Sequence, residues 1–304
     1  MDGIINLHKP PGLTSHAAVL KVRRLSKTKV GHSGTLDPAA SGVLILCLGK
    51  ATRLSRFFTD YPKEYIANLQ LGVDTTTDDA EGDVLAVSDT SALTAAAVEA
   101  VLSRFTGPIR QVPPRYSAIH HQGKRLYELA RQGIEVDSPA RDVVVERIKV
   151  LGWALPFVTL SIRCSKGTYI RSLCRDIGAA LEVGGHLSSL IRTRVGSYSL
   201  NTATSLSALS SKEAVQGALL PLKQTLVEIP ALRVDKDAII PLLCGQTLTP
   251  AELVGEHTPL KADQHYRLLD AQGELLALGK AQTSDDKVVL KPERVFKKAE
   301  TISL

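Results

Sequence analysis

The chain has 304 residues, enough for two domains or for one large domain with a small one, and 44% of them are hydrophobic, which suffices for a substantial core. Its formal net charge is +6 and its pI near 9.1, a balance that fits either a polyanionic partner or a solvated basic surface. No run of about 18 uncharged apolar residues is present, which excludes a helical membrane span; the start, MDGIINLHKPPG, has no apolar signal segment, and Cys47, Cys164, Cys174 and Cys244 form no CxxC pair, so a reduced, cytoplasmic protein without a zinc site is expected.

Residues 3–7 (GIINL) read as a short buried strand, stopped by the Pro10-Pro11-Gly12 turn. Thr14 or Ser15 then caps a helix over roughly 16–26 whose basic residues fall on one side. Residues 31–44, GHSGTLDPAASGVL, hold one acid, Asp37, in a glycine-rich stretch ahead of the apolar run VLILCL, a buried strand or helix start. Proline after the acid biases Asp37 toward an extended conformation, and glycine permits positive φ or close backbone approach. Two local readings fit: a turn or cap whose carboxylate accepts from nearby N–H groups, or a reactive carboxylate presented at the floor of a cleft. A phosphate loop does not fit, because Gly49-Lys50 is followed by Ala51 and Leu44 stands where the first Walker glycine belongs.

Further along, residues 64–72 alternate as a strand. The acidic stretch Asp74–Asp89 reads as a solvated loop facing away from a polyanion, or in part as carboxylates that orient basic side chains. Residues 90–105 have helical spacing stopped by Gly107-Pro108, 125–132 a short helical pattern, 143–155 and 157–165 the look of paired strands, and 169–182 an amphipathic helix ended by Gly184-Gly185. From about residue 230 the texture changes to short β-like runs, with HYRLLDAQGELLALGKA a hairpin about Ala271-Gln272-Gly273 and VVLKPERVF after it. The expected division is therefore a domain over 1–230 and a small β-rich one over 231–304. Lys and Arg outnumber acids nine to three in residues 1–60 and fifteen to seven in 101–200, so the positive excess lies in the segments richest in motifs.

GHSGTLDPAASGVL resembles the catalytic-loop signature of the TruB family of pseudouridine synthases, which convert a T-loop uridine of tRNA to pseudouridine. HKPPGLTSH (8–16), KEYIANLQLGVDTTTDDAEG (63–82), QVPPRYSAIHHQGKRLYELARQG (111–133), CSKGTYIRSLCRDIG (164–178) and LSSLIRTRVGSY (187–198) resemble further segments of that family, in order, across most of residues 3–200. The resemblance implies an α/β (α+β) fold with a mixed, largely antiparallel central sheet flanked by helices, Asp37 at the floor of a cleft, and a C-terminal PUA-like RNA-binding module. It implies Asp37 as the catalytic carboxylate, Arg171 as the cation that keeps it ionised, and Tyr65 as the residue that stacks on uracil and helps remove the C5 proton. It further implies Tyr169 and Leu190 as pocket residues against the flipped base and His32 as the residue that fills the vacated stack. Lys9, Arg115, Lys124, Arg131, Arg141, Arg192 and Arg194 are candidate phosphate contacts.

The implied reaction breaks the N1–C1′ bond, rotates the base, rejoins it through C5 and releases the C5 proton. No redox change or external group enters, so no cofactor is expected. Asp37 attacking C1′, attacking C6, or taking the 2′ proton are all open. The tandem His120-His121 lacks an acidic or cysteine partner at ligand spacing, so no metal is expected. The expected partner is the T-stem-loop of tRNA, met by a monomer with neither membrane nor guide RNA. Rival readings are a guide-RNA-dependent relative, disfavoured by the absence of basic extensions, and a non-catalytic RNA-binding or RNA-folding protein, disfavoured by the intact Asp37, Tyr65, Tyr169 and Arg171.

Overall fold

The run VLILCL has no polar face to turn to water, so as a strand it must be covered on both sides. In the computed structural model, which describes residues 1–114, 120–121, 124–125, 139–255, 258–284 and 287–297, it is the buried part of strand β3 (Ser41–Leu48). Strand β1 (Gly3–Lys9) lies antiparallel to β3 from Gly3↔Leu48 to Lys9↔Gly42. Between them in sequence come helix α1 (Ser15–Ser26) and strand β2 (Val30–Ser33), which pairs with the later part of β3. Thr14, not Ser15, caps α1: its hydroxyl accepts from Ala17 N. The buried residues Ser15, Ala18, Val19, Val22 and Ser26 recur at helical spacing, which puts one face of α1 on the sheet.

Strand β4 (Lys63–Leu71) follows α2 (Ser55–Asp60) and alternates strictly between buried and half-buried positions. Tyr65, Ala67 and Leu69 point into one core, and Glu64, Ile66, Asn68 and Gln70 lie on the other face. The ribbon β5 (Val73–Thr75) and β6 (Val84–Val87), helix α3 (Ala95–Ser103) with Thr94 as its cap, and strand β7 (Gly107–Gln111) come next. Residues 120–121 (β8) and 124–125 (β9) form a short pair; the helix expected at 125–132 falls almost wholly outside the described residues. Strands β10 (Arg141–Ala154) and β11 (Phe157–Cys164) form the expected hairpin. Helix α4 (Ile170–Ala180) then packs over the sheet and leads into β12 (Gly185–Val195).

The large sheet, of 11 strands among the described residues, runs β1-β3-β12-β4-β11-β10-β7 through its centre, with β14 (Thr204–Ser205) and β15 (Leu220–Pro221) paired to β1, β2 to β3, and β13 (Tyr198–Ser199) to β12. Pairing is antiparallel except for β3–β12 and β1–β14, so the sheet is mixed and largely antiparallel, as expected. A second sheet is built from β16 (Ala231–Val234), β17 (Leu253–Val254), β18 (His265–Leu269), β19 (Leu275–Ser284) and β20 (Lys287–Val295). Its Leu275 and Leu278, with Phe296, share one apolar cluster with Ile4, Val43, Leu54 and Phe57. Polar contacts rim that junction: Lys50 Nζ donates to Phe296 O, Arg53 Nη1 to Val295 O, and Arg56 pairs with Glu293. Among the described residues no helix is long and apolar enough to cross a membrane.

Candidate active site

Asp37 sits on the loop that leaves β2 at Ser33 and re-enters the sheet at Ser41, where β3 pairs with β12. The loop is held by groups from three directions. Gly12 N and Lys9 Nζ both donate to Pro38 O, at 2.9 and 3.2 Å. The hydroxyl of Ser15 bonds both backbone groups of Leu36, whose side chain is buried in the core with Val19, Ala40 and Leu44. From β12, Arg192 donates through Nη2 to Gly34 O at 2.8 Å and through Nε to Val43 O at 2.7 Å. Gly34 takes φ +72°, a left-handed turn that glycine enters without strain.

The carboxyl of Asp37 remains 42% exposed at the surface of this packed loop. Arg171, one residue into α4 and almost fully buried, reaches it with Nε at 3.1 Å and Nη2 at 3.4 Å. The same guanidinium contacts Asp79 Oδ2 at 3.3 Å and Thr77 O at 3.2 Å. One turn along α4, Arg175 pairs with Asp78 at 2.8 Å, while Asp74 accepts from Gly185 N. The first half of the acidic stretch, residues 74–79, therefore follows the second of the two expectations, carboxylates that orient basic side chains, while Glu81, Asp83 and Asp89 are exposed to solvent. That first half folds over α4 and fixes the two arginines, because a buried guanidinium needs several acceptors to offset its desolvation. Desolvation pushes the Asp37 carboxyl above its usual range; Arg171 opposes that rise, Asp79 adds to it, and Lys9 and Arg192 pull it down further.

Tyr65 lies one strand away, paired across β4 and β12 with Arg192. Burial raises its hydroxyl pKa and the neighbouring Arg192 opposes the shift, so the phenol keeps its proton at neutral pH. Leu190 is opposite Ala67 and touches both the α4-side core and the Leu36 core, a shared apolar floor between them. Tyr169 is the cap residue of α4, its N–H donating to Gln111 Oε1 at 2.8 Å and its carbonyl accepting from Gln111 Nε2 at 3.0 Å. His32, on β2, has its Nδ1 buried with no hydrogen-bond partner, and burial lowers its pKa, helped by Arg192 and His16.

The structure thus brings Asp37 and Arg171 into contact and sets Tyr65 beside Arg192, which also grips the Asp37 loop. It corrects two other expectations. Lys9 is fully buried, and its ammonium is spent on the carbonyls of Pro10, Leu13 and Pro38, so it does not meet a phosphate. Burial lowers its pKa to about 8, with Asp37 opposing. Arg192 is likewise buried and used internally, whereas Arg141 and Arg194 are exposed. Arg115 and Arg131 lie outside the described residues, and Lys124 is described in its backbone alone. Sequence reasoning missed Gln111 and Ser15 as site-building groups, and named the segment of Asp79 without singling that residue out. The doubled acid in DTTTDD was the available signal for Asp79, whereas nothing local marks Gln111. Buried Cys47 and Cys164 have thiols pushed up to about 12 and about 11 by desolvation, which makes them inert packing residues. Among the described residues no group of three or more His, Cys, Asp or Glu could hold a metal ion.

Residues 22–170 match the family model "TruB family pseudouridylate synthase (N terminal domain)", and residues 171–227 match "tRNA pseudouridylate synthase B C-terminal domain". A tRNA pseudouridine synthase B of Syntrophomonas wolfei subsp. wolfei is 41% identical over 304 residues, covering 98% of this chain and 99% of that protein. One of Burkholderia mallei is 43% identical over 298 residues, covering 97% of each. Among solved structures, an H/ACA RNP bound to a substrate RNA containing 2′-deoxyuridine matches with a TM-score of 0.76 at 27% identity, covering 98% of this chain and 86% of that one. A Cbf5-Nop10-Gar1 complex matches with a TM-score of 0.76 at 29% identity and the same coverage.

Proposed function

This chain belongs to the TruB family of pseudouridine synthases, and from that premise we propose that it isomerises the T-loop uridine at position 55 of tRNA. The observation that carries the reading is the Asp37–Arg171 contact at 3.1 Å. It puts an ionisable carboxylate, paired with a cation that has two further acceptors, on a loop whose backbone is fixed. Such a group can stabilise or attack an electron-poor sugar or base carbon as the N1–C1′ bond breaks. The target base is flipped out of the T-loop, at a cost of a few kcal/mol in lost stacking. The detached uracil then rotates between Tyr65, Tyr169 and Leu190 and rejoins through C5. Tyr65, protonated and beside Arg192, serves as the stacking partner, and its hydroxyl passes the C5 proton on to water, so that the phenol ends neutral as it began. His32 enters the stack that the base leaves.

The substrates and products of this isomerisation have the same composition and oxidation state, so the steps balance with no cofactor. The enzyme works as a monomer in the cytoplasm, without guide RNA. Near-full-length similarity to proteins named as tRNA enzymes supports this over a guide-dependent role. The C-terminal sheet, whose described strands run from Ala231 to Val295, supplies a PUA-like RNA-binding surface, for which exposed Lys287 and Lys291 on β20 are candidates. Mapping pseudouridine on an unmodified tRNA transcript, with neither cofactor nor guide RNA added, tests the reading. Wild type should give a single new pseudouridine in the T-loop, and Asp37→Asn should react roughly a thousandfold more slowly or worse. A wild-type protein that binds tRNA and makes no pseudouridine would overturn it.

A further inference from the structure

We propose that Ser15 is a positioning residue for Asp37, acting through the peptide groups of Leu36. The proposal rests on the reading of Asp37 as the reactive carboxylate. Ser15 stands in the first turn of α1 and is 2% exposed. Its hydroxyl donates to Leu36 O at 2.9 Å and accepts from Leu36 N at 2.9 Å. One small group therefore satisfies both backbone dipoles of the residue that precedes Asp37. On the other side of Asp37, Pro38 O is held by Gly12 N and by Lys9 Nζ. Asp37 O itself accepts from Ala40 N at 3.2 Å. The backbone of Asp37 is thus gripped before and after, with both grips coming from the single segment 9–15.

What distinguishes Ser15 from the rest of that segment is its anchor. It is carried by a helix whose own start is capped by Thr14 and whose Ala18, Val19 and Val22 are buried against the sheet. A rigid helix thereby sets the height of the Asp37 loop opposite α4, which brings Arg171. Without the hydroxyl, the Leu36 N–H and C=O are left in a dry setting with no partner, and the loop must move to find water or new partners. Movement of that kind withdraws the Asp37 carboxyl from Arg171. A misplacement near 1 Å is enough to cost about a hundredfold in rate.

Thr14 provides the control. Its hydroxyl is adjacent in sequence, yet among the described residues its hydrogen bond is to Ala17 N, within α1. Wild type, Ser15→Ala, Ser15→Thr and Thr14→Ala should be compared on a T-stem-loop RNA by single-turnover rate, RNA affinity, pH–rate profile and melting temperature. For Ser15→Ala we expect a rate lowered about 10- to 100-fold with RNA affinity within about threefold of wild type. Its acid limb should shift from that of wild type, because Asp37 leaves the Arg171 contact and the burial that together set its pKa. Ser15→Thr should recover most of the rate, and Thr14→Ala should lower the melting temperature while keeping the wild-type rate and acid limb. If Ser15→Ala is insoluble, Ser15→Cys, close in shape with a weak donor, should give the same pattern in milder form. A Ser15 variant with the wild-type rate and acid limb overturns the proposal. So does a rate loss that Thr14→Ala reproduces at equal loss of melting temperature. Asp37→Asn in the same assay separates the two readings: if it is active, Asp37 is not the reactive group, whereas an inactive Asp37→Asn beside an unaltered Ser15→Ala sinks only the role of Ser15.

Discussion

A single reactive carboxylate is asked to do two opposed things, to be dry enough to react and wet enough to ionise. At Asp37 desolvation wins, with Asp79 adding to it, and the carboxyl titrates above its usual value despite Arg171, Lys9 and Arg192. If the ionised form is the active one, log kcat/KM falls on the acid side at a higher pH than a solvent-exposed aspartate would give. Asp79→Asn removes a nearby like charge and should move that limb to lower pH, read from a pH–rate profile on the T-stem-loop. Stability follows from the same shift. A folded-state pKa above the unfolded value of 3.8 means that the native state holds the proton more tightly. Ionising Asp37 therefore costs stability, none of it below the unfolded value, progressively more as pH rises toward the folded value, and all of it above. Asp37→Asn should melt with wild type in acid and at a higher temperature at neutral pH, while losing activity. A neutral-pH melting temperature below that of wild type would contradict the assigned direction.

At the scale of elements, the site depends on how closely β3 and β12 approach. They run parallel, with Gly42 opposite Arg192. Gly42 has φ +111°, and a Cβ there would stand 2.2 Å from Arg192 O and 2.6 Å from Arg192 N. Backbone cannot yield as a flexible side chain does, so Gly42→Ala must push the strands apart. It should destabilise the chain by at least about 2 kcal/mol in urea unfolding, and it should slow the reaction as Arg192 is drawn off Gly34 and Val43. Unchanged unfolding would show that the approach is slack. The strand and helix periods were legible in the residues: the alternation of KEYIANLQL, the apolar VLILCL and the spacing of α1 all reappear in the structure. The choice of strand for VLILCL was not, because a short apolar run has no period to separate the two.

Across the whole molecule, the small sheet is docked by an apolar patch with a polar rim. Leu278 is fully buried in the cluster that also contains Ile4, Val43 and Leu54. Leu278→Ala should cost about 2–5 kcal/mol, and calorimetry should show one cooperative transition shifted down, because the cavity opens in a core that both sheets share. Glu293→Gln, which breaks the pairing with Arg56 and His265 at a half-exposed rim, should cost less than about 1 kcal/mol. Two separate transitions in the Leu278 variant would mean that the sheets melt independently.

By itself, the sequence determined where most of the strands and helices run, which family's motifs the chain carries, and that the β-rich texture starts near residue 230. These are properties of period and motif, which local residues carry. Only the tertiary structure decided which charges face inward. Lys9 and Arg192 look like any other surface cations in the chain, but Lys9 is buried where Pro38 O is brought to it, and the acceptors of Arg192 are Gly34 O and Val43 O. Ser15 reads as a helix cap until Leu36 is brought against it, and both readings of the acidic stretch stay open until α4 lies beneath its first half. Whether a polar group is dry, and what satisfies it, depends on chain segments distant in sequence, and no local pattern encodes them.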